Sequence, residues 1–145
     1  MTGPSGVVEL VAAVADGWRD DPESDVVWSG DHDGRRGVRM RQTVRDFTTV
    51  WFGVGDRTLT VEAYALAAPP FHREEVFRRA LARNAGTRRV HFALDGEGDL
   101  LLRARVPVEE VTREELELIL GEVFDLVEVA YPPLVAIAFK RETNG

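Results

Sequence analysis

Arg89-Val90-His91-Phe92-Ala93-Leu94, then Asp95-Gly96-Glu97-Gly98-Asp99, then Leu100-Leu101-Leu102-Arg103-Ala104-Arg105-Val106 read as strand, hinge and strand. Val90, Phe92 and Leu94 alternate with polar or small residues, as do Leu100, Leu102, Ala104 and Val106. Period two with one apolar side marks a half-buried hairpin. Behind it, Thr112-Arg113-Glu114-Glu115 has the form of a capping box. The Thr112 hydroxyl serves the N3 amide and the Glu115 carboxylate serves the N-cap amide. A hairpin followed directly by a long amphipathic helix points to an α+β chain with an antiparallel sheet.

Working downstream, the helix has an apolar stripe of Leu116, Ile119, Leu120, Val123, Phe124 and Val127. Leu118, Leu126 and Val129 lie off that stripe, which is more apolar surface than one sheet face needs. They are the candidate interface. Pro132-Pro133 is expected to kink or end the helix. Leu134 to Phe139 then forms a further helical turn or two, with Pro133 in a permitted first position. That segment either covers the surplus apolar patch or leaves it to a partner.

Upstream, Arg73 to Ala85 predicts a helix with Val76, Phe77, Ala80 and Leu81 as its stripe and Asn84 and Gly86 as C-terminal caps. Phe47 to Gly53 and Arg57 to Leu66 are rich in β-branched and aromatic residues. Gly55-Asp56 between them suits a type I′ or II′ turn. Leu59, Val61, Ala63 and Ala65 face one way and Thr58, Thr60, Glu62 and Tyr64 the other. Pro69-Pro70 breaks the strand. Val38, Met40, Gln42 and Val44 alternate with Arg39, Arg41, Thr43 and Arg45, giving another half-buried strand. Val26-Val27-Trp28 is β-prone but short, and Asp31-His32-Asp33-Gly34 is turn chemistry. Near the start, Ser5 is placed as an N-cap, Val7, Leu10, Val11 and Val14 as a helical face, and Gly17 as the helix end.

Composition bounds the function. The 145 residues are expected to form a single domain, residues 1–145, with 44% hydrophobic and 30% charged residues. A net charge of -7 disfavours nucleic acid as a partner, since counterion release needs a basic face. The charge is segregated, however. Arg35, Arg36, Arg39, Arg41 and Arg45 cluster together, while Glu109, Glu110, Glu114, Glu115, Glu117, Glu122, Asp125 and Glu128 crowd the long helix. The first reading of both groups is a solvated surface. Cysteine is absent, which removes disulfides, thiol nucleophiles and thiolate metal sites. No signal-peptide pattern and no apolar run of the ~20 residues needed to span a bilayer are present, so a cytoplasmic protein without membrane contact is expected.

Candidate chemistry is thin. His32, His72 and His91 have no partner at i+3 or i+4. Loops from Asp31 and Asp95 fail as calcium sites, because Arg36 and Leu100 occupy the sixth position where glycine is needed. Gly53-Val54-Gly55 lacks the third glycine of a dinucleotide fingerprint and leads into a strand. Paired carboxylates at Glu110, Glu114, Glu117 and Glu128 sit on a polar helix face, without the cleft that would desolvate one of them. No G-x-S-x-G elbow surrounds Ser5, Ser24 or Ser29. Hence no catalytic residue, cofactor or metal is assigned.

Val54-Gly55-Asp56-Arg57-Thr58-Leu59-Thr60-Val61-Glu62 resembles the "ERTL…E" strand of actinobacterial YbjN-domain proteins. Pro69-Pro70 and Arg73 to Asn84 resemble that family's proline, helix and "RRN" segment. Phe92 to Leu102 and Val111 to Gly121 resemble its hairpin and its "VT.EE…LG" helix. The likeness spans about Arg45 to Phe139. Asp56 stands where the family often has Glu, Ala82 interrupts the usual double arginine, and residues 1–35 match poorly. The resemblance implies a type III secretion chaperone-like fold, with an antiparallel sheet of about five strands flanked by helices, and often a dimer. It implies no catalytic residues.

The leading expectation is a non-enzymatic protein-binding module, chaperone-like or regulatory, acting as a homodimer with an unidentified protein partner. The alternative is a small-molecule-binding or enzymatic domain using Arg and Glu side chains. That alternative requires a deep polar pocket lined by Arg39, Arg41, Glu62, Arg103 or Arg105.

Overall fold

The period-two segments pair into one sheet in the computed structural model, which describes residues 3–141. The helices are α1 (Pro4–Asp20), α2 (Arg73–Arg83) and α3 (Arg113–Ala138). The strands are β1 (Val26–His32), β2 (Arg35–Arg41), β3 (Phe47–Val54), β4 (Thr58–Leu66), β5 (His91–Leu94) and β6 (Leu100–Pro107). Every pairing is antiparallel, in the order β1-β2-β3-β4-β6-β5. The first four strands form a meander. The chain then crosses through α2 to the far edge, and β6 returns between β5 and β4.

The sixth strand comes from Val26–His32. Its apolar run is short, but β2 supplies the hydrogen-bonding partner that a sequence window cannot show. Asp33 and Gly34 close this hairpin with φ of 52° and 74°. Aspartate and glycine tolerate that left-handed region best. The turn at Gly55 differs from expectation. The β3–β4 hairpin forms, with the Gly55 amide donating to the Thr58 carbonyl at 2.9 Å. Gly55 does not adopt positive φ, because three residues rather than two connect the strands.

All three helices lie against one face of the sheet. Val38, Met40, Val50, Phe52, Leu59, Val61, Leu102 and Ala104 project into a single buried cluster. From α3 they meet Leu116, Ile119, Val123, Val127, Ala130, Leu134 and Ala138. Removing each such Val, Leu, Ile, Met or Phe side chain from water stabilises the fold by about 1.5–3 kcal/mol. α1 covers β1 to β3 with Val7, Val11 and Val14, and runs through Gly17 to Asp20 instead of stopping there. Its N-cap is Gly3, not Ser5, with Pro4 in the first turn. Packing of Trp18 against Phe52, with ring centroids 6.1 Å apart, holds the last turn.

α3 also outruns its expected end. Pro132 and Pro133 lie inside it, and the helix continues to Ala138. Their missing amides leave the Glu128 and Val129 carbonyls without intrahelical donors. Burial of Leu134 and Ala138 beyond the prolines keeps the segment docked. The Ala138 carbonyl then accepts from the Phe71 amide at 3.2 Å. Three other expectations shift at edges. β2 ends at Arg41, so Gln42 and Val44 belong to a loop. Leu81 and Leu94 are exposed, because α2 and β5 are the outermost elements and nothing lies beyond them.

Carboxylates of α3 pin the loops on either side. The Thr112 hydroxyl accepts from the Glu115 amide at 3.0 Å, one arm of the expected capping box. The Glu115 carboxylate turns instead to Arg88 and Arg89, at 3.0 and 2.9 Å. Glu122 accepts from the amides of Arg88, Arg89 and Val90 at 2.6, 2.9 and 2.6 Å. Glu128 accepts from the Gln42 side chain at 2.7 Å and from the Thr43 amide at 2.9 Å, with a further bond from the Thr43 hydroxyl. Glu128 therefore departs from the expectation of a merely solvated charge.

Partial burial raises the Glu122 carboxyl, but the amides of Val90, Arg88 and Arg89 and the Arg88 charge outweigh it and hold the group below the usual range. Such a group stabilises the fold fully above its unfolded value of about 4.3 and ceases to do so as pH falls through the lower folded value. Glu122→Gln should cost about 1 kcal/mol at neutral pH, after allowance for solvent screening. That is roughly 2–4 °C in melting temperature. The difference should close in acid. Thermal melts of both proteins across pH 3–7, about the range of carboxylate titration, read this out. Identical midpoints at neutral pH would show that the carboxylate charge adds nothing to these amide bonds.

Candidate functional site

Two surfaces of the molecule carry side chains beyond those the fold consumes. The first lies along α3. Leu118, Leu126 and Val129 line one open groove of about 480 Å³, whose other wall is the α2–β5 connection at Arg83, Gly86, Thr87 and Arg88. Leu118 and Val129 are 48% and 57% exposed. Leu126 is half-buried and also lines a small apolar pocket with Phe92, Leu102 and Tyr131. The segment Leu134 to Ala138 extends α3 past the groove and does not fold back over it.

The second surface is the side of the sheet that no helix covers. Trp28 and Trp51 meet edge to face there, with centroids 6.4 Å apart. Glycines make room for both rings. Gly37 pairs with Trp51 across β2 and β3, and a Cβ on Gly37 would stand 2.6 Å from Cζ3 of that indole. A Cβ on Gly30 would stand 2.6 Å from Cζ2 of Trp28. The Arg35 guanidinium lies over Trp51 at 5.1 Å, and that of Arg39 lies over Trp28 at 5.5 Å and Phe47 at 6.0 Å. Such cation–π contacts fix arginine planes while leaving their N–H edges free to donate.

Further along this face Glu62 pairs with Arg103 at 2.9 Å. Arg35, Phe47, Thr49, Trp51, Glu62 and Tyr64 border an open basin of about 430 Å³. Of the five residues expected to line a deep polar pocket, only Glu62 lines this basin. Arg39 stacks on the aromatic rings, Arg103 is tied to Glu62, and Arg41 and Arg105 are exposed.

Arg45 also borders the basin, but its guanidinium turns inward. It donates to the Ala65 and Tyr64 carbonyls at 2.7 and 2.8 Å and stacks on Tyr131 at 4.8 Å. Burial lowers its pKa, and Tyr131 partly offsets this. Arg45 thus ties the β2–β3 loop to β4 and α3.

The histidines stay apart. His32 and His91 lie on the two opposite edge strands, and His72 precedes α2 with its ring nitrogen 2.9 Å from the Lys140 carbonyl. Among the described residues Asp95, Glu97 and Asp99 bring carboxylate oxygens within 4.8 Å of one another. Two of these carboxylates serve the chain itself. Asp95 accepts from the Glu97 and Asp99 amides, and Asp99 from the Ala68 amide.

The aromatic and arginine platform was not found from sequence. Its signal is faint: Gly37 falls opposite Trp51 once the hairpin register is known, and Trp28 lies two residues from Gly30.

A profile of the YbjN family, described as "Putative bacterial sensory transduction regulator", matches residues 9–135. An uncharacterized protein of Mycobacterium tuberculosis is 31% identical over 87 residues, covering 60% of this chain and 48% of the relative. An uncharacterized protein of Mycobacterium leprae is 30% identical over 93 residues, covering 64% of this chain and 50% of the relative. The matched region thus spans about half the length of these relatives. The structure of YbjN from E. coli superposes with a TM-score of 0.51 at 17% identity, covering 92% of this chain and 90% of that one. A chain of the heterodimeric ExoU–SpcU complex from the type III secretion system of Pseudomonas aeruginosa gives 0.51 at 15% identity, covering 66% and 88%. These two likenesses establish the fold as type III secretion chaperone-like.

The Trp51–Gly37 contact is testable on its own. Gly37→Ala should cost about 1–2 kcal/mol, because the new methyl displaces a ring already held by Trp28 and Arg35. In a Trp51→Ala background the same substitution should be nearly neutral. A double-mutant cycle by urea denaturation measures the coupling. Equal costs in both backgrounds would show that Gly37 is not there to seat the indole.

Proposed function

The chain belongs to the YbjN family, and from that premise we propose that it is a non-enzymatic protein-binding module, chaperone-like or regulatory, that pairs with a second copy of itself in the cytoplasm. One observation carries the reading. Leu118 and Val129 stand about half exposed beside Leu126 in a groove that the C-terminal part of α3 does not cover. Apolar area left in water costs about 25 cal/mol per Å². A two-fold pairing would cover it with one self-complementary patch.

Other features support the absence of catalysis. Glu115, Glu122 and Glu128 are engaged in holding loops, and the basin on the sheet is open to water. No helix among the described residues is long and apolar enough to cross a membrane. The ExoU–SpcU complex is itself a protein–protein assembly, which accords with a protein partner for this fold. The basin on the sheet is the feature closest to the polar pocket of the alternative reading, and it lacks the depth and convergent polar groups such sites use.

Light scattering at micromolar concentration should give twice the chain mass of 16.2 kDa. Leu118→Glu and Val129→Glu should each shift the protein toward monomer, because a carboxylate would be buried without a partner. These exposed positions are better probes than Leu126, whose side chain also fills the core-side pocket. A monomer mass for the native protein rejects the pairing. A dimer indifferent to both substitutions places the contact elsewhere.

A further inference from the structure

We propose that the uncovered face of the sheet binds an acidic, partly apolar peptide segment of a protein partner, seated over the Trp28–Trp51 platform and the adjoining basin. The proposal deepens the protein-binding reading and rests on it, but uses a different surface from the α3 groove.

Charge carries the argument. The chain has a net charge of -7, yet this face reverses the sign. Arg35 and Arg39 stand over the indoles, Arg41 and Arg105 follow on the same face by strand alternation, and Arg103 flanks the basin. Glu62 is the strand carboxylate set against them, and it is held by Arg103. Two of the arginines are pre-oriented by their rings, so ordering them for a carboxylate costs little. The basin between them has aromatic walls at Phe47, Trp51 and Tyr64, which suits an apolar side chain beside an acidic one.

The same groups disfavour a single-stranded nucleic acid. Base stacking needs free aromatic faces. Here Trp51 leans on Gly37 beneath Arg35, and Trp28 leans on Gly30 beneath Arg39. Glu62 would oppose a phosphate backbone, and the acidic hinge at Asp95, Glu97 and Asp99 bounds the face beyond Tyr64. A short peptide can stay on the positive half, whereas a long polyanion would meet Glu62, the hinge acids and the net negative field.

The probe is a fluorescein-labelled synthetic peptide alternating glutamate with leucine, followed by anisotropy on the full chain. Its labelled lysine–leucine counterpart, measured separately, serves as the control, and an oligothymidine of similar length as the competitor. The acidic peptide should bind more tightly than the control, bind more weakly as salt rises, and not be displaced by the oligothymidine. Arg39→Glu should weaken binding by about tenfold, since like charges then face each other. Glu62→Gln should tighten it, an outcome that a misfolded variant cannot mimic. Opposite signs from the two substitutions support the proposal. No binding, equal signs, no change, or displacement by oligothymidine overturns it, the last in favour of a nucleic-acid face. Light scattering on both variants separates this result from pairing through α3. Loss of the dimer with Leu118→Glu while peptide binding persists leaves the sheet site intact, and the converse leaves only the dimer.

Discussion

Val38, Val50, Phe52, Val61 and Leu102 leave the sheet on one side only, where α1 covers β1 to β3 with Val7, Val11 and Val14 and α3 packs toward β4 with Leu116, Ile119, Val123 and Val127. The residues that alternate with them are Arg39, Thr49, Trp51, Glu62 and Arg103, which cannot be sealed under an aliphatic helix without large desolvation. An antiparallel sheet with this pattern takes helices on one face and water on the other. The positions of α1 and α2 on either side of α3, the open aromatic platform and the free outer face of α3 all follow from that asymmetry.

The helix layer is held by more than apolar contact. Glu115 and Glu122 grip the approach to β5, Glu128 grips the loop after β2, and Arg45 reaches from that loop to β4 and Tyr131. Each is a charged group satisfying backbone or loop partners, which is stronger than an exposed ion pair. α3 is therefore both the lid of the core and the clamp for two loops. Beside these anchors Leu118 and Val129 stay exposed on the outer side of α3.

The open face of the sheet follows a different logic. Its glycines at Gly30 and Gly37 would weaken strands on their own, but the indoles fill the missing volume, Trp28 along its own strand and Trp51 across the β2–β3 pair. The arginines that stack on those rings are held in place by aromatic planes and not by carboxylates. A surface built in this way is apolar at its floor and cationic at its rim, inside a chain that is acidic as a whole.

Sequence alone determined the elements whose signals are local. The β5–β6 hairpin with its glycine hinge, the Thr112 cap, the alternation in β4 and the break at Pro69-Pro70 need no distant partner to be read. The family likeness to YbjN-domain proteins rested on the same segments, and so did the antiparallel α+β class. Tertiary structure decided what depends on neighbours. Val26–His32 became a strand because β2 pairs with it, and α3 passed Pro132-Pro133 because Leu134 and Ala138 are buried beyond them. Glu122 and Glu128 became anchors because loops far along the chain present amides to them. Trp51 and Arg35 became a platform because the register places Gly37 beneath the indole. Local propensity acts over a few residues, whereas burial and cross-strand register are set by residues tens of positions apart.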